Sequence, residues 1–222
     1  TARSGYDGER CWVHARAGAI PGDPPTVVMT MQELQLSGSD LFFGLHLMRT
    51  RDLGKHWDGP APQDAFARRT EADGKETVVC DFTPKWHAAT GTLLGTGHTA
   101  QYRGGKLAAD RERGAVYAVF DPEKGTFRPW KVLEIEGNMR NPASPFYNCG
   151  AGSTQRQDLP DGAILLPVYH KGKDAPHSAV PCCAARSTAR PCAWRSSAPP
   201  SAYPSSADCT SRRSRRFAAA IT

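Results

Sequence analysis

Seven histidines, seven cysteines and a scatter of acidic and basic side chains are the groups in this 222-residue chain that could do chemistry. His87 and His98 flank the run Thr92–Gly97, close to Trp86. The stretch Gly95-Thr96-Gly97-His98 could set an imidazole beside a ligand, so His98 stands as a binding candidate, with a hydrogen-bonded structural histidine as its plainer role. No two histidines stand at H-x-H or H-x-x-x-H spacing, so the sequence shows no metal-binding pattern. Cys11, Cys80 and Cys149 are far apart, form no C-x-x-C pair and read as small buried apolar residues. Gly91, Gly95 and Gly97 make no phosphate loop, because no helix follows them. Gln32 and Glu33 close the first strong apolar run, where residues at the rim of a site often sit, and Glu33 is a second binding candidate. Nothing in these spacings asks for a cofactor.

The elements that must position these groups are short. Apolar and β-branched runs of four to eight residues recur at Cys11–His14, Thr26–Met31, Leu41–Met48, Thr77–Phe82, Thr92–Thr99, Ala115–Phe120, Trp130–Ile135 and Ala163–Tyr169. Clusters of Gly, Pro and Asp separate them. No window keeps a helical apolar stripe over three turns, and 18 prolines argue against long helices. The class expected is all-β, open at this level to a sandwich, a barrel or propeller blades.

The turn Thr50-Arg51-Asp52-Leu53-Gly54-Lys55-His56-Trp57 narrows the choice. Asp52 is expected to accept backbone N–H groups two residues on, Gly54 to supply a positive φ, and Trp57 to return as an apolar plug beneath the hairpin. This is the Asp-box pattern, S/T-x-D-x-G-x-x-W, with all four fixed positions present. Val119–Phe127 is a longer, degenerate turn of similar character, and Leu159-Pro160-Asp161-Gly162 is a further tight turn.

Composition divides the chain near Ser178. Residues 178–222 carry seven arginines, no lysine and one acid, so the whole formal charge of +6 sits there and residues 1–177 are neutral. A basic groove on the body, and with it a nucleic-acid partner, is not expected. Ala, Ser, Pro, Arg and Cys make up 36 of those last 45 residues, a composition that offers little to bury. A nucleic-acid-binding arm, a natural disordered tail and a shifted reading frame compete as readings. The favoured one is the frame shift, since those five residue types have GC-rich codons. No apolar run reaches the ~18 residues that span a bilayer. The start at Thr1 is read as an incomplete N-terminus.

Several stretches, taken in order, resemble the sialidase-like (neuraminidase, BNR-repeat) family of six-bladed β-propellers. Ala19-Ile20-Pro21 and the strand after it resemble the family's Arg-Ile-Pro motif and first blade strand. Ser39-Asp40 resembles the acidic loop before the first Asp box, and Gly150–Gln155 with Asp161–Tyr169 resembles its Gly-rich strand pair. The resemblance implies that residues 1–177 form about half a propeller, followed by the tail 178–222. It implies an exo-glycosidase that removes terminal sugars, sialic acid among them, from glycoconjugates. Asp40 becomes the acid/base candidate, and Arg16 could stand in for the motif arginine that Ala19 replaces. Glu33 and His98 join Arg16 as substrate contacts, while Arg140, Asn141, Asn148 and Gln155 lie in polar loops that could meet a sugar.

The family's catalytic Glu, its remaining arginines and its Tyr would fall in or beyond the tail, so this chain is expected to be inactive alone. Export, to the periplasm or outside the cell, follows from the family's usual substrates. The rival reading is a non-catalytic Asp-box propeller that binds glycan or protein.

Overall fold

The computed structural model describes residues 3–36, 40–133 and 141–175, together with the backbone of Cys182–Arg186. All regular structure among them is strand, apart from two single 3-10 turns at Asp64–Phe66 and Ala88–Thr90. The sheets curl into a half-barrel. Among the described residues no helix is long and apolar enough to cross a membrane.

The first sheet is an antiparallel meander of β1 (Arg10–Ile20), β2 (Thr26–Leu36), β3 (Asp40–Thr50) and β4 (Asp58–Pro62). The second is built on β5 (Arg69–Thr70), β6 (Glu76–His87), β7 (Thr92–Arg103), β8 (Lys106–Leu107), β9 (Ala115–Asp121), β10 (Thr126–Phe127) and β11 (Lys131–Val132), with β6, β7 and β9 at its centre. The third region holds β12 (Asn148–Gly150), β13 (Gln157–Asp158), β14 (Ala163–Pro167), β15 (Tyr169–Lys171) and β16 (Cys182–Arg186). In it β12 pairs β15, and β14 lies between β13 and β16.

The strands outgrow the apolar runs that announce them. Thr77–Phe82 extends to Glu76–His87 and Thr92–Thr99 to Thr92–Arg103, because the cross-strand ladder carries polar residues beyond the apolar stretch. His98 thus lies inside β7, not beyond its end. Ala163–Tyr169 divides into β14 and β15 around Val168, and among the described residues of Trp130–Ile135, Lys131 and Val132 form β11 while the Leu133 amide donates to the Ala115 carbonyl. Ile135, Ser39, Arg140 and residues 187–222 lie outside the described residues. The backbone of Cys182–Arg186, in the segment whose composition suggests disorder, forms an antiparallel ladder with β14 from Ala163↔Arg186 to Pro167↔Cys182.

Three apolar clusters hold the sheets together, two of them between the first sheet and the second. Between the first and second, Phe66, Phe82, Phe120 and Phe127 meet edge to face at centroid distances of 4.9–5.9 Å, the arrangement that aromatic quadrupoles favour. Between the second and third, Ile164, Leu166 and Val168 point to one face at strand spacing and bury against Leu94, Tyr117 and Phe146. Arg156 fastens this contact. Its guanidinium donates to the carbonyls of Leu94 and Lys85 and, through Nε and Nη2, to the Asp158 carboxylate at 2.7 and 3.1 Å.

The Asp-box turn closes somewhat differently from expectation. Thr50 Oγ1 accepts the Gly54 amide at 3.0 Å and donates to Asp52 Oδ1 at 2.8 Å. That oxygen receives the amide of His56 at 3.0 Å, four residues on rather than two. The reason is that Leu53 and Gly54 both take positive φ, 59° and 87°, and carry the chain round so that His56 faces Asp52. Trp57 is half-buried, with Gly54 beside its indole. In the Val119–Phe127 turn Asp121 Oδ1 accepts the amides of Glu123 and Lys124, and Gly125 has φ 68°.

Candidate functional site

Strand alternation sends neighbouring residues to opposite faces, so gathering consecutive polar groups needs an irregularity. Two bulges provide it. On β1 the pairs Val13↔Gln32 and Arg16↔Thr30 leave His14 and Ala15 opposite Met31. On β6 the pairs Cys80↔His98 and Thr83↔Thr96 leave Asp81 and Phe82 opposite Gly97. Each bulge holds one residue in left-handed backbone, His14 at φ 55° and Asp81 at φ 53°. Bulges re-aim side chains, and these two aim at each other: His14 Nδ1 lies 3.3 Å from Asp81 Oδ1.

Two more groups close on the same oxygen. Arg16 Nη2 donates to Asp81 Oδ1 at 3.1 Å and to Ser153 Oγ at 3.0 Å. Ser153, in the segment after β12, has φ 56° and donates its own hydroxyl to Asp81 Oδ1 at 2.8 Å. Apart from Leu53 in the Asp-box turn, His14, Asp81 and Ser153 are the non-glycine residues with positive φ among the described residues. Such conformations cost on the order of 1–3 kcal/mol each and persist where the surroundings impose them. Here all three surround one carboxylate. Its Oδ1 has three neighbours, while Oδ2 receives no hydrogen bond from a described residue.

Beneath Asp81 lies a buried layer. His98 is 6% exposed, and its Nε2 sits 3.2 Å from Cys80 Sγ. The other face of the ring meets the backbone of Gly152: a Cβ there would fall on the imidazole and come within 2.9 Å of Asp81 Cβ. Only glycine therefore lets the 151–154 segment approach closely enough for Ser153 to reach Asp81. The Tyr169 ring stands edge-on to His98 at 5.8 Å, and the Arg113 guanidinium lies 5.0 Å from the Tyr169 ring centre.

The electrostatics separate these groups by protonation state. Burial favours neutral Asp81, but the Ser153 hydroxyl, the imidazoles of His14 and His98 and the Arg16 guanidinium outweigh it and hold the carboxyl below its ordinary value. Burial, aided by the Arg113 charge, pushes His98 down to about 4 against the pull of Asp81. Burial also raises the Cys80 thiol and the Tyr169 phenol above their usual ranges. At neutral pH the centre therefore holds an ionised Asp81 over a neutral histidine, thiol and phenol. A neutral, deeply buried thiol and phenol are poor nucleophiles. The ionised carboxylate is the charged acceptor of this centre, suited to receive a hydrogen bond from a ligand hydroxyl.

The sequence candidates are distributed around this centre. Arg16 and His98 both belong to it. Asp40 is exposed at the first residue of β3, its carboxylate in no hydrogen bond or salt bridge with a described residue. Its position is fixed through its carbonyl, which accepts the Tyr102 hydroxyl at 2.7 Å. Glu33 pairs with Arg10 at 3.6 Å and lines a separate groove of about 270 Å³ with Tyr6 and Trp12. The Asp box of Thr50, Asp52, Gly54 and Trp57 closes the opposite end of β3 from Asp40, about 30 Å along eleven residues of strand. His87 is structural, bonded to Thr90 Oγ1 at 2.7 Å and to the Gly162 carbonyl at 3.2 Å.

Sequence reasoning missed Asp81, His14, Ser153 and Arg113. A charge between Cys80 and Phe82 in an otherwise apolar run was the available signal for Asp81. No protein-family model matches the chain, and comparison with curated proteins finds no match.

Proposed function

We propose that this chain carries part of a sialidase-like β-propeller, and that the Asp81 centre is the sugar-binding and reacting site of an exo-glycosidase. The observation that carries this reading is the convergence of His14, Asp81 and Ser153, all in left-handed backbone, on one ionised carboxylate. Strain gathered at one polar centre from three sheets is the mark of a site shaped for a ligand. The successive antiparallel meanders and the Asp-box geometry at Thr50–Trp57 support the propeller part of the proposal.

Hydrolysis of a glycosidic bond requires a proton for the leaving oxygen and a carboxylate near the anomeric carbon or the attacking water. In this reading Asp40 keeps the acid/base role on the exposed side, and Asp81 receives a sugar hydroxyl at Oδ2. Arg16 has a buried Nε with no hydrogen-bond partner, a donor suited to an acidic sugar. Terminal acidic sugars, sialic acid among them, are the proposed substrates.

The test is release of fluorophore from a panel of 4-methylumbelliferyl glycosides, the sialoside included, by the wild type and by Asp81→Asn and Asp40→Asn. The chain alone is expected to lack turnover, so any rate in the wild type is diagnostic, and that rate should fall by about 100-fold or more in each variant, the scale of acid–base contributions. Unchanged turnover, or unchanged glycoside binding, in folded Asp81→Asn would remove the assignment. Glycan binding that survives in both variants would favour the non-catalytic propeller, for which the Asp box serves equally well.

A further inference from the structure

Cys80, Asp81 and His98 present a sulfur, a carboxylate oxygen and an imidazole nitrogen that all lie within 4.8 Å of one another. On a regular strand Cys80 and Asp81 would face opposite ways. The β6 bulge turns Asp81 back to the side on which Cys80 meets His98. The Sγ to Nε2 separation, 3.2 Å, is close to the distance between two ligands of one tetrahedral ion with bonds of about 2.3 and 2.0 Å.

Asp81 is arranged as a ligating carboxylate would be. Arg16 and Ser153 hold Oδ1 by hydrogen bonds, as outer groups orient metal ligands, and Oδ2 is left available. The imidazole is turned to suit the site. His98 is more than nine-tenths buried, its Nδ1 lies against the Gly152 backbone, and Nε2 is the ring nitrogen that faces Cys80.

We propose that Cys80 Sγ, Asp81 Oδ2 and His98 Nε2 form a binding site for one zinc-class divalent cation, with the fourth position left to water or to the His14 imidazole. The mixed sulfur, nitrogen and oxygen set selects a borderline-soft ion such as zinc or cobalt over magnesium or calcium, which prefer all-oxygen shells. Arg16 stays on Oδ1, where its charge partly offsets that of the ion. The ion and a sugar hydroxyl would compete for Oδ2, so the two readings describe alternative states of one centre, and binding of the ion requires no sugar.

The experiment titrates the full chain with cobalt(II), without any glycoside, and follows the sulfur-to-cobalt charge-transfer absorption. Saturation at one cobalt per chain is expected, with displacement by zinc and not by magnesium. The other cysteines are controlled for by Cys80→Ser, which is expected to abolish the band, and by Asp81→Asn and His98→Gln. Each of these last two should weaken binding by at least about 10–100-fold, the loss that even outer-shell changes cause. They also serve if Cys80→Ser does not fold. No cobalt band in the wild type, or a band of full strength in folded Cys80→Ser or in both other variants, would overturn the proposal. Glycoside turnover is read separately, so failure of one idea leaves the other standing.

Discussion

His14 and Asp81, each at the left-handed position of a bulge on a different sheet, meet with Nδ1 3.3 Å from Oδ1. Neither bulge would place its residue there alone. The two irregularities are complementary, and the Ser153 segment closes over the junction from the third region.

Gly152 is the tightest point of that closure. Gly152→Ala would drive a methyl into the His98 ring and against Asp81 Cβ, so the segment must retreat and take the Ser153 hydroxyl with it. A loss of about 1–3 kcal/mol is expected, the usual cost of overpacking. Urea denaturation measures it, and an unchanged midpoint would show that the segment yields without strain.

Ser153 separates stability from function. Ser153→Gly relieves the left-handed strain, whereas Ser153→Ala keeps it, and both remove the hydrogen bond to Asp81. The glycine variant should exceed the alanine variant in stability by about 1–2 kcal/mol. Both should lose glycoside turnover to a similar degree. Denaturation midpoints and fluorogenic assays on the pair check the two halves together.

Arg156 joins β14's surroundings to β6 and β7 through a buried guanidinium, 3% exposed at its side chain. Arg156→Gln leaves Asp158 without its bidentate partner and two carbonyls without donors. The expected cost is about 3–5 kcal/mol, as for other broken buried pairs. Amide exchange should rise first in residues 148–171, whose contact with the second sheet this side chain secures.

Asp52 gives a pH signature remote from the site. The His56 amide, the Thr50 hydroxyl and the His56 side chain hold its carboxyl below the ordinary range. A group depressed on folding stabilises the native state fully above its unfolded value and loses that contribution as pH falls through the folded one. The wild type should therefore exceed Asp52→Asn in urea midpoint by a constant margin above about pH 5. That margin should shrink in strong acid. A margin independent of pH would assign the effect to geometry instead of charge.

The strand content was legible because apolar runs and Gly, Pro and Asp clusters report burial and reversal directly. The Thr50–Trp57 turn was legible because its donors and acceptors are local in sequence, and even there the partner of Asp52 came from one turn further on. The Asp81 centre was not. Alternation predicts which face a residue takes only while the register is unbroken, and the β1 and β6 bulges break it at the residues that matter. Arg16 and His98 were singled out without their common partner, since that partner sits in what reads as an ordinary strand. Ser153 joins from 72 residues beyond Asp81, a distance no local pattern spans.

That separation bears on how the molecule matures. Arg16 and Ser153, 137 residues apart, share a hydrogen bond across the completed centre. Closing so long a loop costs entropy that only late contacts return. A chain whose first two sheets have formed still holds Asp81 beside Arg16 and His14 but without its hydroxyl clasp. The centre is thus complete only once the segment after β12 has docked.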